Sequence, residues 1–431
     1  MIQRLRKLLS KDISVLVGAG MVAQAVNLVA YPLLTHFYTP TDFGLFSIII
    51  AVATFLGVAV LLRIETLYQI VGAEEEQDHL IAAITVALLL TLVIFAMALL
   101  LGPLLFSLVI TDLDQQNWHW SYAILIALLA FLSGVFSLAR EYNAKNGHYG
   151  RLALAQILRT VLAVGSQLGL VLLLKNAGAD GLIAGFTVGL GAATLLAWPI
   201  RTELMAILWN APTRAWATSW RIVHKYGAYI RVDVVNVLIR RSFVAAYPIF
   251  VLMSFGVTET GIYAVASRVA FIPIDVIASS ISTVYFQRFA MAVRDDDHTL
   301  RLFYTTLAGG LVIGLGIAAA LALLAGPLVD LVFGDDWTRT AVIILYLLPT
   351  FLARFSIACI GSTPLALKRP DLLLLWNLAQ LAIIAIALWY TYDDMLESFL
   401  LYSGLALLAA SALYAGVLFV TIARRNTEEA A

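Results

Sequence analysis

The chain has 431 residues, 62% hydrophobic and 13% charged, with a mean hydropathy of +0.93; soluble domains are about 25% charged and about half apolar, so water is not its main solvent. Its net charge is zero and its pI near 7.0, so overall electrostatics select neither nucleic acid nor a polyanionic surface as partner. Cys359 is the only cysteine, which excludes a disulfide framework and any CxxC metal or redox site within one chain.

The first residues, MIQRLRKLLSKDISVLVGAG, start basic and run into an apolar stretch without an A-x-A cleavage site, and are read as a retained first span. A helix needs roughly 20 mostly apolar residues to cross a bilayer core of ~30 Å. Twelve such runs follow one another: 13–37, 43–66, 80–109, 121–142, 151–174, 181–200, 226–254, 262–287, 303–325, 341–362, 371–391 and 397–421. They are continuously apolar rather than alternating, which predicts helices and not a barrel. The expected fold is an all-α membrane protein with a six-span lobe at 1–205, a linker at 206–225 and a second six-span lobe at 226–431.

Basic residues orient the spans. Placing both termini in the cytoplasm puts Arg63, Arg140, Lys145, Arg151, Arg214, Arg221, Lys225, Arg288, Lys368 and Arg424 inside and leaves only Lys175 and Arg339 outside. The acidic run Glu74, Glu75, Glu76 and Asp78 also falls inside, where carboxylates carry little weight. The longest connection, from about 201 to 225, carries Trp209, Pro212, Trp216 and Trp220 among basic residues and reads as an amphipathic interfacial linker. Trp118, Trp120, Trp337 and Trp389 read as a belt at the outer interface.

The halves repeat each other. Thr41-Asp42-Phe43-Gly44-Leu45-Phe46 recurs as Thr258-Glu259-Thr260-Gly261-Ile262-Tyr263, with Tyr31-Pro32 and Tyr247-Pro248 ahead of them. Gly102-Pro103-Leu104 recurs as Gly326-Pro327-Leu328, and Leu154-Ala155-Gln156 as Leu378-Ala379-Gln380. An even number of spans per half makes the repeat parallel, about an axis along the membrane normal. The prolines inside spans, Pro32, Pro248 and Pro273, are expected kinks. Gly185 with Gly189 and Gly310 with Gly314 are expected close helix-packing sites.

The segment Pro32-Leu33-Leu34-Thr35-His36-Phe37-Tyr38-Thr39-Pro40-Thr41-Asp42-Phe43-Gly44, followed by Arg63-Ile64-Glu65, resembles the first-hairpin signature "P-L-L-T-R-x-Y-x-P-x-D-F-G" and the "R-x-E" element of Wzx-type polysaccharide repeat-unit flippases. These belong to the multidrug/oligosaccharidyl-lipid/polysaccharide exporter superfamily. His36 stands where the family commonly has Arg. The resemblance spans essentially the whole chain and implies a MATE-like fold of two lobes in a bacterial inner membrane. It also implies movement of an isoprenoid-pyrophosphate-linked oligosaccharide, such as an O-antigen unit of lipopolysaccharide, from the inner to the outer leaflet by alternating access around a cationic cavity. Membrane lipids, a polysaccharide polymerase and chain-length machinery are the partners it implies.

Polar residues within spans mark the candidate site, because a charge at the bilayer centre costs at least ~2.5–3.5 kcal/mol and normally faces protein or a wet cavity. On span 7, Asp233, Asn236, Arg240 and Tyr247 share one face, with Arg241 a step off it. Arg268, Asp275, Ser279 and Ser282 share a face of span 8, and Gln24, Asn27 and Tyr31 one of span 1. Arg354 and Arg159 are further embedded cations. One reading makes Arg240–Asp233 and Arg268–Asp275 internal pairs that fix packing. The other makes the arginines a pyrophosphate site, since guanidinium forks match phosphate oxygens and keep their charge. Asp233 and Asp275 then act in release or coupling, with H+ or Na+ as a coupling ion, and Arg63 with Glu65 is either a helix-end pair or a gate. No motif for a metal, nucleotide or cofactor is found. A cation-coupled exporter of another amphiphile is the alternative, but it calls for an acidic cavity. A membrane polymerase or ligase calls for a large outward loop.

Overall fold

The computed structural model describes residues 2–69, 71–109, 120–174, 177–198, 212–295, 298–391 and 395–430. Among them there is no strand. The helices are α1 (Ile2–Thr35), α2 (Pro40–Val60), the single turn α3 (Ile64–Leu67), α4 (Glu76–Val109), α5 (Trp120–Lys145), α6 (Tyr149–Leu174), α7 (Gly178–Ala197) and α8 (Pro212–Lys225). There follow α9 (Gly227–Pro273), a π-helical turn at Ile274–Ala278, and α10 (Ser279–Asp295). The chain closes with α11 (Thr299–Val332), α12 (Arg339–Ile360), the turn α13 (Thr363–Ala366), α14 (Pro370–Tyr390) and α15 (Leu396–Ala430).

Eleven helical segments among the described residues are long and apolar enough to cross a membrane. The difference from twelve lies in one segment of 50 residues, Ala245–Arg294. At about 1.5 Å per residue it is more than twice the length a ~30 Å core needs. It is broken at Gly256, whose φ of 84° and ψ of 179° no helix permits and few side chains tolerate. Gly256 therefore ends the helix that begins at Gly227 and starts a new one, at the place where the sequence puts the boundary between spans 7 and 8; eleven segments among the described residues meet the length and apolarity of a span.

The chain folds as two compact units, Met1–Ala245 and Ala246–Ala431. In the first, α6 packs on α7 and α1, and α5 on α2, α4 and α7. A Cβ on Gly185 would sit 2.6 Å from the backbone nitrogen of Gln167, and one on Gly189 would meet the carbonyl of Arg159, so both glycines are what lets α7 lie against α6. In the second, α12 packs on α11 and α15, with Gly310 against Cys359 and Gly314 against Phe355.

The hairpin signature is a packing device. Thr39 caps α2, its hydroxyl and backbone exchanging hydrogen bonds with Asp42, and Pro40 occupies the first turn. Phe43 is 1% exposed within a ring cluster of Tyr31, Tyr38 and Phe46, and the Tyr38 hydroxyl donates to the Gln167 carbonyl at 2.8 Å. His36 closes on its own helix, with Nδ1 2.8 Å from the Pro32 carbonyl.

The internal repeat extends to hydrogen bonds. Between α5 and α6, Gly147 has φ 72° and the His148 N–H donates to the Asn143 carbonyl; ahead of α14, Lys368 has φ 57° and the Arg369 N–H donates to the Pro364 carbonyl, both at 2.8 Å. The two turns are the same motif with one residue in the left-handed region.

Glu75 and Asp78 of the acidic run find partners in α8 and in Tyr226 just after it. Lys225 pairs with Glu75 at 2.5 Å, Arg221 with Asp78, and the Tyr226 hydroxyl donates to Glu75. The exposed Glu75 carboxyl is held below its ordinary value chiefly by the Lys225 hydrogen bond. Ala215, Ser219 and Ile222 of α8 are buried while Trp216 and Trp220 point outward, as an interfacial helix requires; Trp209 lies outside the described residues. The tryptophan belt is corrected at one place: Trp389 is exposed, but Trp337 is 1% exposed and belongs to the core. Trp118 lies outside the described residues, and nothing is described of the Trp120 side chain.

Orientation has a direct check. In a Cys359→Ala background, a cysteine at exposed Asn146, in the α5–α6 turn, is expected to react with an impermeant thiol reagent only from the cytoplasmic side. One at exposed Asp180, at the start of α7, should react only from outside. Labelling of both from one face would overturn the span count.

Candidate functional site

Two polar constellations stand out, one in each unit. In the first, the chain leaves α2 through Leu62 and Arg63, both with positive φ (47° and 63°). That conformation costs a non-glycine residue about 1–3 kcal/mol and persists only where the surroundings enforce it. Arg63 is held by two carboxylates: its Nη1 lies 2.9 Å from Glu65 Oε1 and its Nε 2.8 Å from Asp233 Oδ2. The Thr66 hydroxyl donates to the Arg63 carbonyl at 2.8 Å and lies 3.2 Å from the same Asp233 oxygen. Around this centre, Lys145 donates to the carbonyls of Tyr68 and Val71 at 2.9 and 2.8 Å, and Gln69 donates to Glu141.

One of the two sequence readings pairs Asp233 with Arg240. In the structure Asp233 pairs with Arg63, because the turn at 62–63 swings the guanidinium onto α9. The Arg240 side chain lies outside the described residues, and Arg241 is exposed.

Glu65 is 2% exposed, and its Oε2 has no hydrogen-bond partner. Burial pushes its carboxyl above the ordinary 4.5; Arg63 opposes the rise, and Glu141 and Asp233 add to it. Three formal charges, one positive and two negative, leave this centre one proton short of neutrality. The sign follows from linkage: above pH 4.5 the folded state holds a proton that the unfolded chain has released, so stability is present at low pH and lost as pH rises through the folded value. Melting of Glu65→Gln is therefore expected to depend less on pH than that of wild type as pH rises above 4.5. Parallel melting curves for the two proteins would contradict it.

The second constellation lies in the C-terminal unit. Arg354 sits in the second half of α12, its guanidinium 4.4 Å from the centre of the Phe271 ring. Asp275, in the π-helical turn that follows Pro273, lies within electrostatic reach of both Arg354 and Arg268. The Asp275 carboxylate makes no hydrogen bond or ion pair among the described residues, so the packing reading's Arg268–Asp275 contact pair is not formed; Arg268 is exposed. Two guanidinium groups thus act on one carboxylate within these spans. A π-turn widens the helix and is frequent at functional sites.

The remaining candidates are placed as follows. Tyr247 is 3% exposed, stacked on Tyr263 at 6.0 Å, with its hydroxyl 3.3 Å from Ser403 Oγ. Gln24, Asn27 and Tyr31 are half-buried along α1, and Tyr31 packs toward Phe43. Arg159 lies between the rings of Phe136 and Phe186, at 5.9 and 5.6 Å. Sequence reasoning missed Phe271, Thr66 and Gln167. Their signal is only their position, one ring, one hydroxyl and one amide among many in apolar helices. Among the described residues, no group of His, Cys, Asp and Glu is placed to hold a metal ion.

The model of the polysaccharide biosynthesis protein family matches residues 33–342. No curated protein matches the sequence. In fold, the chain is similar to the lipid II flippase MurJ in an inward closed conformation, at 12% identity and a TM-score of 0.71, over 96% of this chain and 90% of that one. It is also similar to the Vibrio cholerae MATE transporter VcmN, at 15% identity and a TM-score of 0.59, over 98% of each. An inward-facing multidrug resistance MATE family transporter of the MOP superfamily aligns at 14% identity and a TM-score of 0.56, over 96% of this chain and 94% of that one.

Proposed function

The chain belongs to the polysaccharide biosynthesis protein family, and from that premise we propose that it moves an isoprenoid-pyrophosphate-linked oligosaccharide across a bacterial inner membrane, from the inner to the outer leaflet, by alternating access. It is a multi-pass helical membrane protein with the fold of a flippase and of exporters, which lends no support to a polymerase or ligase. The observation that carries the reading is the placement of two arginines, Arg354 and Arg268, about Asp275 inside the spans of the C-terminal unit.

The physical case is one of magnitudes. A guanidinium in a span costs ~2.5–3.5 kcal/mol or more, and a cation–π contact returns about 0.5–2 kcal/mol. Arg354 over Phe271 presents a guanidinium fork within a span, and a pyrophosphate that accepts bidentate hydrogen bonds from it offsets part of that cost each time substrate is bound. A carrier of organic cations would need the opposite sign of charge. Arg240, on α9 in the first unit, is proposed as a further pyrophosphate-binding arginine, and Arg63, Glu65 and Asp233 are proposed as the gate or coupling centre, with H+ or Na+ as coupling ion. A polymerase and chain-length proteins are the partners such a role calls for.

The test is transbilayer movement of a defined lipid-linked oligosaccharide in vesicles holding the purified protein. Arg354→Ala is expected to lower the rate by roughly ten- to a hundredfold, the worth of one or two charge-assisted bonds, with Arg354→Lys recovering part. Full movement by well-folded Arg354→Ala would remove this arginine from the substrate site.

A further inference from the structure

The C-terminal unit contains a groove of about 540 Å³ along span 8, within the about 300–1,000 Å³ range of small-ligand sites. Its wall is formed by Asp275, Ser279, Ser282, Thr283, Gln287 and Ser362, with Ile274, Phe286 and Ala358 between them. Six of these nine side chains are hydrogen-bonding, and none is Lys or Arg. At Asp275 the groove comes within electrostatic reach of Arg268 and Arg354.

Each alternative occupant fails on chemistry. Acyl chains cannot satisfy a carboxylate, an amide and four hydroxyls, so this face is not a lipid-facing one. A free inorganic anion would find no cation along the wall. An apolar drug would strand the same polar groups.

A sugar ring fits. Its hydroxyls both donate and accept, and side-chain hydroxyls, amides and carboxylates answer them in any orientation. One of its faces is apolar C–H, for which the partly exposed Phe286 ring is a platform. The Ser279 and Thr283 hydroxyls already donate to carbonyls one turn back, of Asp275 and Ser279, so they face a ligand as acceptors. Ser362 Oγ is buried in the groove wall with no partner. The π-turn at Ile274–Ala278, closed by the Ser279 N–H on the Ile274 carbonyl, puts Asp275 at the head of this row.

We infer that the groove is the subsite for a sugar ring of the transported lipid-linked glycan, next to the arginines that take its pyrophosphate. The inference rests on the proposed function and adds where the glycan lies: along the cytoplasmic half of span 8, where substrate is loaded.

The experiment uses the full-length protein in nanodiscs and three probes: farnesyl pyrophosphate, and the same pyrophosphate carrying one N-acetylglucosamine or one galactose. Wild type is expected to bind at least one sugar-bearing probe at least about tenfold tighter than farnesyl pyrophosphate. In Ser282→Ala/Gln287→Ala that ratio, measured within the variant, is expected to fall to about twofold or less. An unchanged ratio in the variant, or no sugar advantage in wild type while farnesyl pyrophosphate still binds, overturns the sugar subsite and leaves the pyrophosphate reading standing. Failure of wild type to bind any of the three overturns both. If melting shows that the double variant is unfolded, Thr283→Ala, whose side chain is exposed, takes its place under the same criteria.

Discussion

Replacing Gly185 and Gly189 together by valine is expected to abolish accumulation of folded protein. A side chain at Gly185 meets the Gln167 backbone nitrogen at 2.6 Å and its Cγ at 2.5 Å; one at Gly189 meets the Arg159 carbonyl and, at 2.7 Å, the Ala163 nitrogen. These obstacles are mostly main chain of α6 and cannot rotate away, so α6 and α7 must separate. Overpacking usually costs about 1–3 kcal/mol per site, and two sites consume much of the about 5–15 kcal/mol that holds a domain together. The same separation strips Tyr38 of its Gln167 partner and so loosens the α1–α2 hairpin. Gly165→Ala and Gly169→Ala, on α6 itself with nothing within 4 Å, are the controls and are expected to be neutral or slightly stabilising. Fluorescence-detected gel filtration reads the outcome; a monodisperse double valine variant would show that the helix pair is not close-packed.

Arg63→Ala is expected to destabilise the protein by about 3–5 kcal/mol and to stop transport. It leaves Glu65, with 3% of its side chain exposed, and Asp233, with 24%, as neighbouring carboxylates without their shared cation. Removing one partner of a buried pair costs more than the pair contributes, because the remaining charge is stranded. The triple change Arg63→Ala/Glu65→Gln/Asp233→Asn is expected to recover most of the melting temperature, since no charge is left behind. Its transport distinguishes structure from gating: a rescued fold that still fails to move substrate assigns a working role to the charges, and restored movement makes them packing only. Arg63→Lys should fall between, because one ammonium cannot copy a fork that reaches two carboxylates through Nη1 and Nε. The φ of 63° at Arg63 adds a further control: Arg63→Gly relieves the backbone while removing the charge, so its loss relative to Arg63→Ala isolates the strain.

Several site residues were legible only in part. Arg63-Ile64-Glu65 announced a charged element at the end of span 2, but not that its guanidinium would turn to Asp233, 170 residues on. Helical periodicity set Asp233 and Arg240 on one face and so suggested each as the other's partner, since periodicity orders residues on one helix and says nothing of what the next brings. Tyr247 was placed on a polar stripe, yet it packs against Tyr263 and Phe399. A tyrosine buries as readily as it lines a cavity, and a face computed at 100° per residue drifts once a helix contains a proline or a π-turn.

What the sequence determined by itself is whatever depends on a one-dimensional sum or spacing: solvent class, helical spans, the internal repeat, and the glycines that bring helices together. Apolar length and the need of each backbone to bond within its own helix leave no other solution in a bilayer. Tertiary structure alone decided the break at Gly256, the left-handed turn that aims Arg63, the ring beneath Arg354 and the polar groove beside it. Each depends on how atoms distant in the chain share a few ångströms, where one dihedral angle or one neighbouring ring redirects a charge that composition and periodicity only count.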